Sequence, residues 1–215
     1  EFAGEVRELT HMRPEYVRDC PFCPGNENET AEDLLQWPAR GPWLVRVFPN
    51  SFPALSRYGE REQVMSGLER KLNGVGYHEV IVESPLHNAT PALQRPEEIV
   101  LTLKAFQTRG REIMEDPRIE QIFYFKNHGP TAGSSVEHPH SQLLALPMVP
   151  FDMRVRTEEL RRTIDDEGVC PYCQMVKMEA EQGERIITQN KDFVAFIPYA
   201  AFSPFHTWIV PRRHG

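Results

Sequence analysis

The sequence predicts an α+β fold in which a mostly antiparallel sheet is flanked by helices, built from two related halves of which the second is incomplete. Three observations lead there. Short runs rich in Val, Ile and aromatic residues are closed by Pro, Asn or Gly, the pattern of strands joined by turns. One long segment repeats its apolar residues at helical spacing. The motif Cys-Pro-aromatic-Cys occurs twice, and similar strand-like runs follow each copy, as an internal repeat requires.

Trp43-Leu44-Val45-Arg46-Val47-Phe48 reads as a strand closed by Pro49-Asn50, and Tyr77 to Glu83 as a second. Between them lies a charged, Gly-containing insertion from Ser56 to Gly76. Pro96-Glu97-Glu98 opens a helix, where the missing proline N–H costs nothing, and Ile99, Leu103, Phe106 and Ile113 form its expected buried stripe before Asp116-Pro117 stops it. Ile119 to Lys126 is a third strand, Asn127 to Ser135 a Gly-rich turn, and Glu137 to Leu146 a fourth strand. Arg154 to Asp165 and Met175 to Glu181 read as helices; Phe193 to Ile197 and His206 to Val210 read as strands. The expected division is an N-terminal half over residues 1–150 and the start of a second half over 151–215.

At 215 residues and 40% hydrophobic content the chain can bury a sizeable core. Its formal net charge of -7 provides no basic field for nucleic acid or an anionic membrane, so any phosphate must be held by local groups. No apolar run approaches a membrane span, and Glu1-Phe2-Ala3-Gly4-Glu5-Val6-Arg7 lacks the build of a signal peptide, so a cytoplasmic protein is expected.

All four cysteines fall in the pairs Cys20/Cys23 and Cys170/Cys173, a spacing that suggests metal or redox use. Cys-Pro-Phe-Cys and Cys-Pro-Tyr-Cys also resemble the redox pair of glutaredoxin-like proteins, and the four thiols could instead share one zinc. The repeat favours one zinc per copy. Val45-Arg46-Val47-Phe48-Pro49 matches Val194-Ala195-Phe196-Ile197-Pro198, and His78 to Val82 followed by His87 matches His206 to Val210 followed by His214. Each cysteine pair therefore has a histidine at a matching place. The first site would be Cys20, Cys23, His87 and His138; the second would begin with Cys170, Cys173 and His214, its fourth ligand lying outside this sequence. Four protein ligands leave no open position, so the zinc is expected to be structural.

His138, His140 and Gln142 occupy alternate positions of the fourth strand and should leave it on one face. A strand with a polar solvent face would look the same. If His138 is clamped by metal, His140 is held rigidly beside it with a free ring nitrogen and becomes a positioned nucleophile.

Several segments together resemble the galactose-1-phosphate uridylyltransferase branch of the histidine-triad superfamily. They are Cys20 to Glu27, Phe48-Pro49-Asn50-Ser51-Phe52, Ser84-Pro85-Leu86-His87, and Phe125-Lys126-Asn127-His128-Gly129 leading through Ala132-Gly133-Ser134-Ser135 to His138-Pro139-His140-Ser141-Gln142. The resemblance implies a histidine-triad-like fold, a homodimer, and a nucleotide sugar and sugar 1-phosphate as substrates. By it, His140 is the covalent catalyst and Gln142 a phosphoryl contact, while Phe22, Asn50, Ser51, Phe52, Val80, Asn127, Gly133 and Ser135 line the nucleotide pocket. The second cysteine pair and the wording around His138 look more like a sister group that includes ADP-glucose phosphorylase.

A neutral imidazole can attack phosphorus and split one displacement into two. The expected activity is UDP-glucose:hexose-1-phosphate uridylyl transfer through a nucleotidyl-His140 intermediate. Phosphorolysis of ADP-glucose by the same residues is the alternative, and a non-catalytic zinc-binding module is the reading from another class. Gln142 and the backbone N–H groups of Gly133-Ser134-Ser135 would meet the developing charge, with Arg46 or Lys126 as candidate cations. His78 and His206, at strand starts, are expected to be structural or hydrogen-bonded core residues. His11 and His128 have no partner that sequence identifies.

Overall fold

Val45, Val47, Ile81, Leu143 and Ala145 leave one face of a five-stranded sheet, and Phe48, Val80, Val82, His140 and Gln142 leave the other. That alternation arranges everything that follows. The computed structural model describes residues 13–214, and the chain divides into two compact units, Glu1–Val149 and Pro150–Gly215. His11 lies outside the described residues. No helix among the described residues is long and apolar enough to cross a membrane.

In the first unit the strands are β1 (Leu35–Trp37), β2 (Val45–Pro49), β3 (Gln63–Ser66), β4 (Glu69–Leu72), β5 (Tyr77–Val82), β6 (Gln121–Phe125) and β7 (His140–Leu146). The main sheet runs β1-β2-β5-β7-β6, every neighbour antiparallel, and β3 and β4 form a separate exposed hairpin. The architecture is the expected α+β one, a mostly antiparallel arrangement of strands with helices. The hairpin occupies the insertion that the sequence showed only as charged and Gly-containing, and β1 was also unanticipated.

Helix α1 (Pro96–Ile113) covers one face of the sheet. Its start is a capping box: Arg95 N–H donates to Glu98 Oε2 at 2.8 Å, with Pro96 in the first turn. The buried stripe is Thr102, Ala105, Arg109, Gly110 and Ile113, whereas Leu103 is exposed. The expected stripe therefore had Leu103 wrong, because the helix approaches the sheet along its small residues. Burying each of Val45, Val47, Ile81 and Leu143 against it contributes about 1.5–3 kcal/mol. The opposite face of the sheet carries a second core of Phe48, Val80, Val82, Trp43, Phe22 and both cysteines of the first pair.

The second unit holds α2 (Phe151–Glu167), α3 (Pro171–Gln182), and an antiparallel sheet β10-β9-β8 made of β8 (Ile186–Gln189), β9 (Phe193–Phe196) and β10 (Trp208–Pro211). Strand β8 was not anticipated. Pairing in this unit also corrects the alignment of the repeat by one residue. Phe196 pairs with Trp208 and Val194 with Val210, as Phe48 pairs with Val80 and Arg46 with Val82. Phe196 is thus the counterpart of Phe48, and both are buried. A one-residue slip would turn each strand's side chains to the wrong face.

Candidate active site and metal clusters

The first cysteine pair sits in successive tight turns. Cys23 N–H donates to Cys20 O at 3.1 Å, Asn26 N–H to Cys23 O at 3.2 Å, and the Asn26 side chain ties back to Cys20 O at 2.8 Å. Val17 N–H points at Cys23 Sγ, 3.4 Å away. His87 follows β5, its N–H bonded to Glu15 O at 2.8 Å. His138 donates from Nε2 to Ser84 O at 2.8 Å, which leaves Nδ1 unprotonated and facing the sulfurs.

Cys20, Cys23, His87 and His138 are all buried, with their ligand atoms within 4.8 Å of one another. The Nδ1···Sγ distances are 3.6 Å for His87–Cys23, 3.6 Å for His138–Cys23 and 3.8 Å for His138–Cys20. A tetrahedral zinc, with bonds of about 2.3 Å to sulfur and about 2.0–2.1 Å to nitrogen, separates such atoms by about 3.6 Å. Burial pushes the Cys20 thiol up to about 11 and His138 down to about 4, and lowers His87 as well. Buried thiolates are stable only beside a cation, so the donor set suits a divalent metal such as zinc. The second group, Cys170, Cys173 and His214, is more exposed, with Cys173 Sγ and His214 Nδ1 3.1 Å apart, and could also hold a metal.

β7 begins at His140, not at Glu137, because Pro139 has no N–H for the ladder. Its carbonyl still accepts from Glu83 N–H at 3.2 Å, which carries the β5–β7 pairing one step further. His138 and His140 remain on the side that faces Phe22, whose ring meets both edge-on with centroids 6.2 and 5.2 Å away. His140 Nδ1 lies 2.8 Å from His138 O. A carbonyl can only accept, so the proton is on Nδ1 and Nε2 keeps its lone pair. Burial holds the His140 pKa below the usual imidazole value. The ring is neutral at pH 7.

His140 opens into a cleft that it shares with Gln142. Phe22, Asn50, Ser51, Phe52, Val80 and Ser135, all singled out in the sequence, line the same cleft. Pro21, Glu29, Thr30, Phe48 and Val136 complete it, and alternation along β2 could have added Phe48. Asn127 lines an adjoining depression with Lys126, His128 and His140. Gly133 borders neither; it closes a tight turn at φ +79°, its N–H bonded to Pro130 O at 2.9 Å, and Ser134 N–H is bonded to Gly129 O at 3.2 Å. Those two N–H groups are used within the turn.

Of the two candidate cations, Arg46 is buried and committed elsewhere. It reaches Asp33 at 2.9–3.1 Å and Thr30 at 2.9 Å, and lies over the Trp43 and Phe48 rings. Lys126 pairs with Glu83 at 2.7 Å and lies 3.3 Å from His140 O, while Glu83 also accepts from Ser141 Oγ. The charge beside His140 is therefore largely balanced. His78 Nε2 is 2.7 Å from Gln142 Oε1, and Asn50 Nδ2 is 3.2 Å from the same oxygen.

The family model described as galactose-1-phosphate uridyl transferase, N-terminal domain, matches residues 1–150. The chain is 37% identical over 199 residues to ADP-glucose phosphorylase of Arabidopsis thaliana, a match covering 91% of this chain and 55% of that protein. It is 28% identical over 212 residues to galactose-1-phosphate uridylyltransferase of Thermotoga maritima, covering 97% and 63%. Among solved structures it is similar to an ADP-glucose phosphorylase from Arabidopsis thaliana with bound ADP-glucose, with a TM-score of 0.79, 34% identity, and coverage of 97% and 64%. The chain thus spans 55% to 63% of the length of these curated relatives.

Proposed function

The chain belongs to the galactose-1-phosphate uridyl transferase N-terminal-domain family, and from that premise we propose that the protein transfers a nucleotidyl group from a nucleoside diphosphate sugar to a phosphate acceptor through a covalent adduct on His140. The single observation that carries this reading is the hydrogen bond from His140 Nδ1 to His138 O, which leaves Nε2 as a fixed, unprotonated nitrogen in the cleft.

In the first step the Nε2 lone pair forms a bond to the α-phosphorus, and the bond to the bridging oxygen breaks, releasing sugar 1-phosphate with the electron pair. No proton need leave Nδ1; its N–H points at the His138 carbonyl, which favours the positive charge the ring acquires. In the second step an acceptor phosphate oxygen displaces the imidazole. Gln142 would meet charge on the non-bridging oxygens, while Phe22, Asn50, Ser51, Phe52, Val80 and Ser135 would hold the nucleoside. Asn127, from the adjoining depression, would approach the phosphates; Gly133 would act only by shaping its turn.

Zinc on Cys20, Cys23, His87 and His138 would have a structural role, fixing the backbone from which His140 projects. A second zinc on Cys170, Cys173 and His214 is part of the same reading, as are a homodimer and a cytoplasmic location.

Two donors fit this chemistry. A UDP-sugar is the reading that the family name favours, and an ADP-sugar, with inorganic phosphate as acceptor, is supported by the 37% identity to ADP-glucose phosphorylase against 28% to the uridylyltransferase. Incubation with UDP-glucose or ADP-glucose, followed by intact mass measurement without acid, separates them by the mass of the adduct. An adduct that persists in His140→Asn, or zinc with no adduct and no nucleotide binding, would sink the mechanism; the second result would favour a zinc-binding module.

A further inference from the structure

His78 is a side chain to which the chemistry above gives no task. Ala54 donates its backbone N–H to His78 Nδ1 at 3.1 Å. A backbone amide can only donate, so Nδ1 is the unprotonated nitrogen and the neutral ring carries its proton on Nε2. That N–H faces Gln142 Oε1 at 2.7 Å. Asn50 is oriented by the same logic: Phe52 donates its backbone N–H to Asn50 Oδ1 at 2.8 Å, which turns Nδ2 toward Gln142 Oε1 at 3.2 Å. Two donors, each oriented by a main-chain N–H of segment 50–54, converge on one oxygen of Gln142. The amide NH2 is left as the free end, and among the described residues no acceptor takes it.

We propose that His78 is a positioning residue that, together with Asn50, locks the Gln142 amide with its donor end toward the phosphorus attacked by His140. The inference rests on the nucleotidyl-transfer reading. An amide flips between two orientations that differ little in shape but are opposite in polarity. With its oxygen toward the phosphate, Gln142 would repel the charge that develops there; with its NH2 toward the phosphate, it stabilises that charge without reorganising. The second unit separates the two halves of the arrangement. Phe202 N–H donates to His206 Nδ1 at 3.2 Å, while His206 Nε2 lies 3.1 Å from the Trp208 indole nitrogen, not from an amide oxygen. Anchoring the loop through Nδ1 is common to both units; donating from Nε2 to a catalytic amide occurs in the first.

Two substitutions split these halves in the intact protein. His78→Asn puts an acceptor near the Nδ1 position and keeps the loop anchor, but no longer reaches Gln142. His78→Gln puts an amide N–H near the Nε2 position and keeps the donor. The expected result is a kcat at least about tenfold lower in His78→Asn with KM within about threefold, and a kcat within about threefold of the parent in His78→Gln. The reverse order is what a pure loop anchor would give, and it overturns the proposal, as does equal loss or no loss in both. The tautomer is read separately by 15N NMR of the parent protein, so the idea stays testable even where a variant does not fold: Nε2–H supports it and Nδ1–H overturns it. If the parent forms no adduct with either nucleotide sugar, the transfer reading fails and takes the role of His78 with it. If the parent forms the adduct and both variants keep its rates, only the role of His78 fails.

Discussion

Arg109 grips Glu79 with a two-pronged hydrogen bond, Nη2 to Oε1 at 2.6 Å and Nε to Oε2 at 2.8 Å, and the carboxylate is fully buried. The pair joins α1 to β5, one residue from His78. Removing Arg109 strands the buried Glu79 carboxylate, so Arg109→Met should cost about 3–5 kcal/mol by denaturant unfolding, whereas Glu79→Gln leaves Arg109 its pairing with Glu112 and should cost less. Replacing both with apolar residues of similar size should recover most of that loss. Single variants as stable as the parent would show that the pair is not held as described.

Metal content should be two zinc ions per chain, one lost with Cys20→Ser or His87→Ala and the other with Cys173→Ser. Losing the first should lower both melting temperature and adduct formation, because His138 then no longer fixes the backbone beneath His140. A disulfide between Cys170 and Cys173, with metal absent, would instead support thiol–disulfide chemistry.

Gln142→Ala should lower kcat by about 10²–10³-fold with a smaller effect on KM, the signature of an interaction made mainly in the transition state. Adding His78→Asn to it should cost little more, since His78 acts through Gln142. Additive losses in single-turnover adduct formation would separate the two residues.

Asp116 should make the stability of the fold fall as the pH is lowered. Hydrogen bonds from Arg118 hold its carboxyl well below the usual value of 3.8, and Tyr77 Oη adds another at 2.8 Å. A depressed carboxyl stabilises the fold fully above that usual value and loses its contribution as pH falls toward the folded value. Asp116→Asn should therefore lose stability at pH 7 and show a shallower decline below about pH 4. A pH–stability curve parallel to that of the parent would exclude this role.

Strands β2, β5, β6 and β7 and helix α1 were legible because each carries a period that burial imposes. The hairpin β3–β4 was not: its residues are almost all exposed, so no face is marked, and charged side chains are all that a reader of the sequence sees. Leu103 was misplaced because periodicity weighs large side chains, while α1 packs through Thr102, Ala105 and Gly110. In the site, the gathering of Cys20, Cys23 and His87 was legible through the repeat, and the placing of His138 and His140 through their spacing along one strand. The commitment of Arg46 to Asp33 and the link from His78 to Gln142 depend on how loops and strand register bring distant residues together, which local pattern does not carry.

β7 has paired neighbours on both sides, β5 and β6, so the backbone bearing His140 and Gln142 is held along nearly its whole length. Much of the remaining cleft wall, including Phe22, Ser51, Phe52 and Ser135, stands on turns outside the sheet. Under the proposed chemistry, bond-making and the choice of base are therefore written on separate parts of the molecule. In that reading, substitutions in the turns would alter the contacts to the nucleoside while the reacting strand stays unchanged.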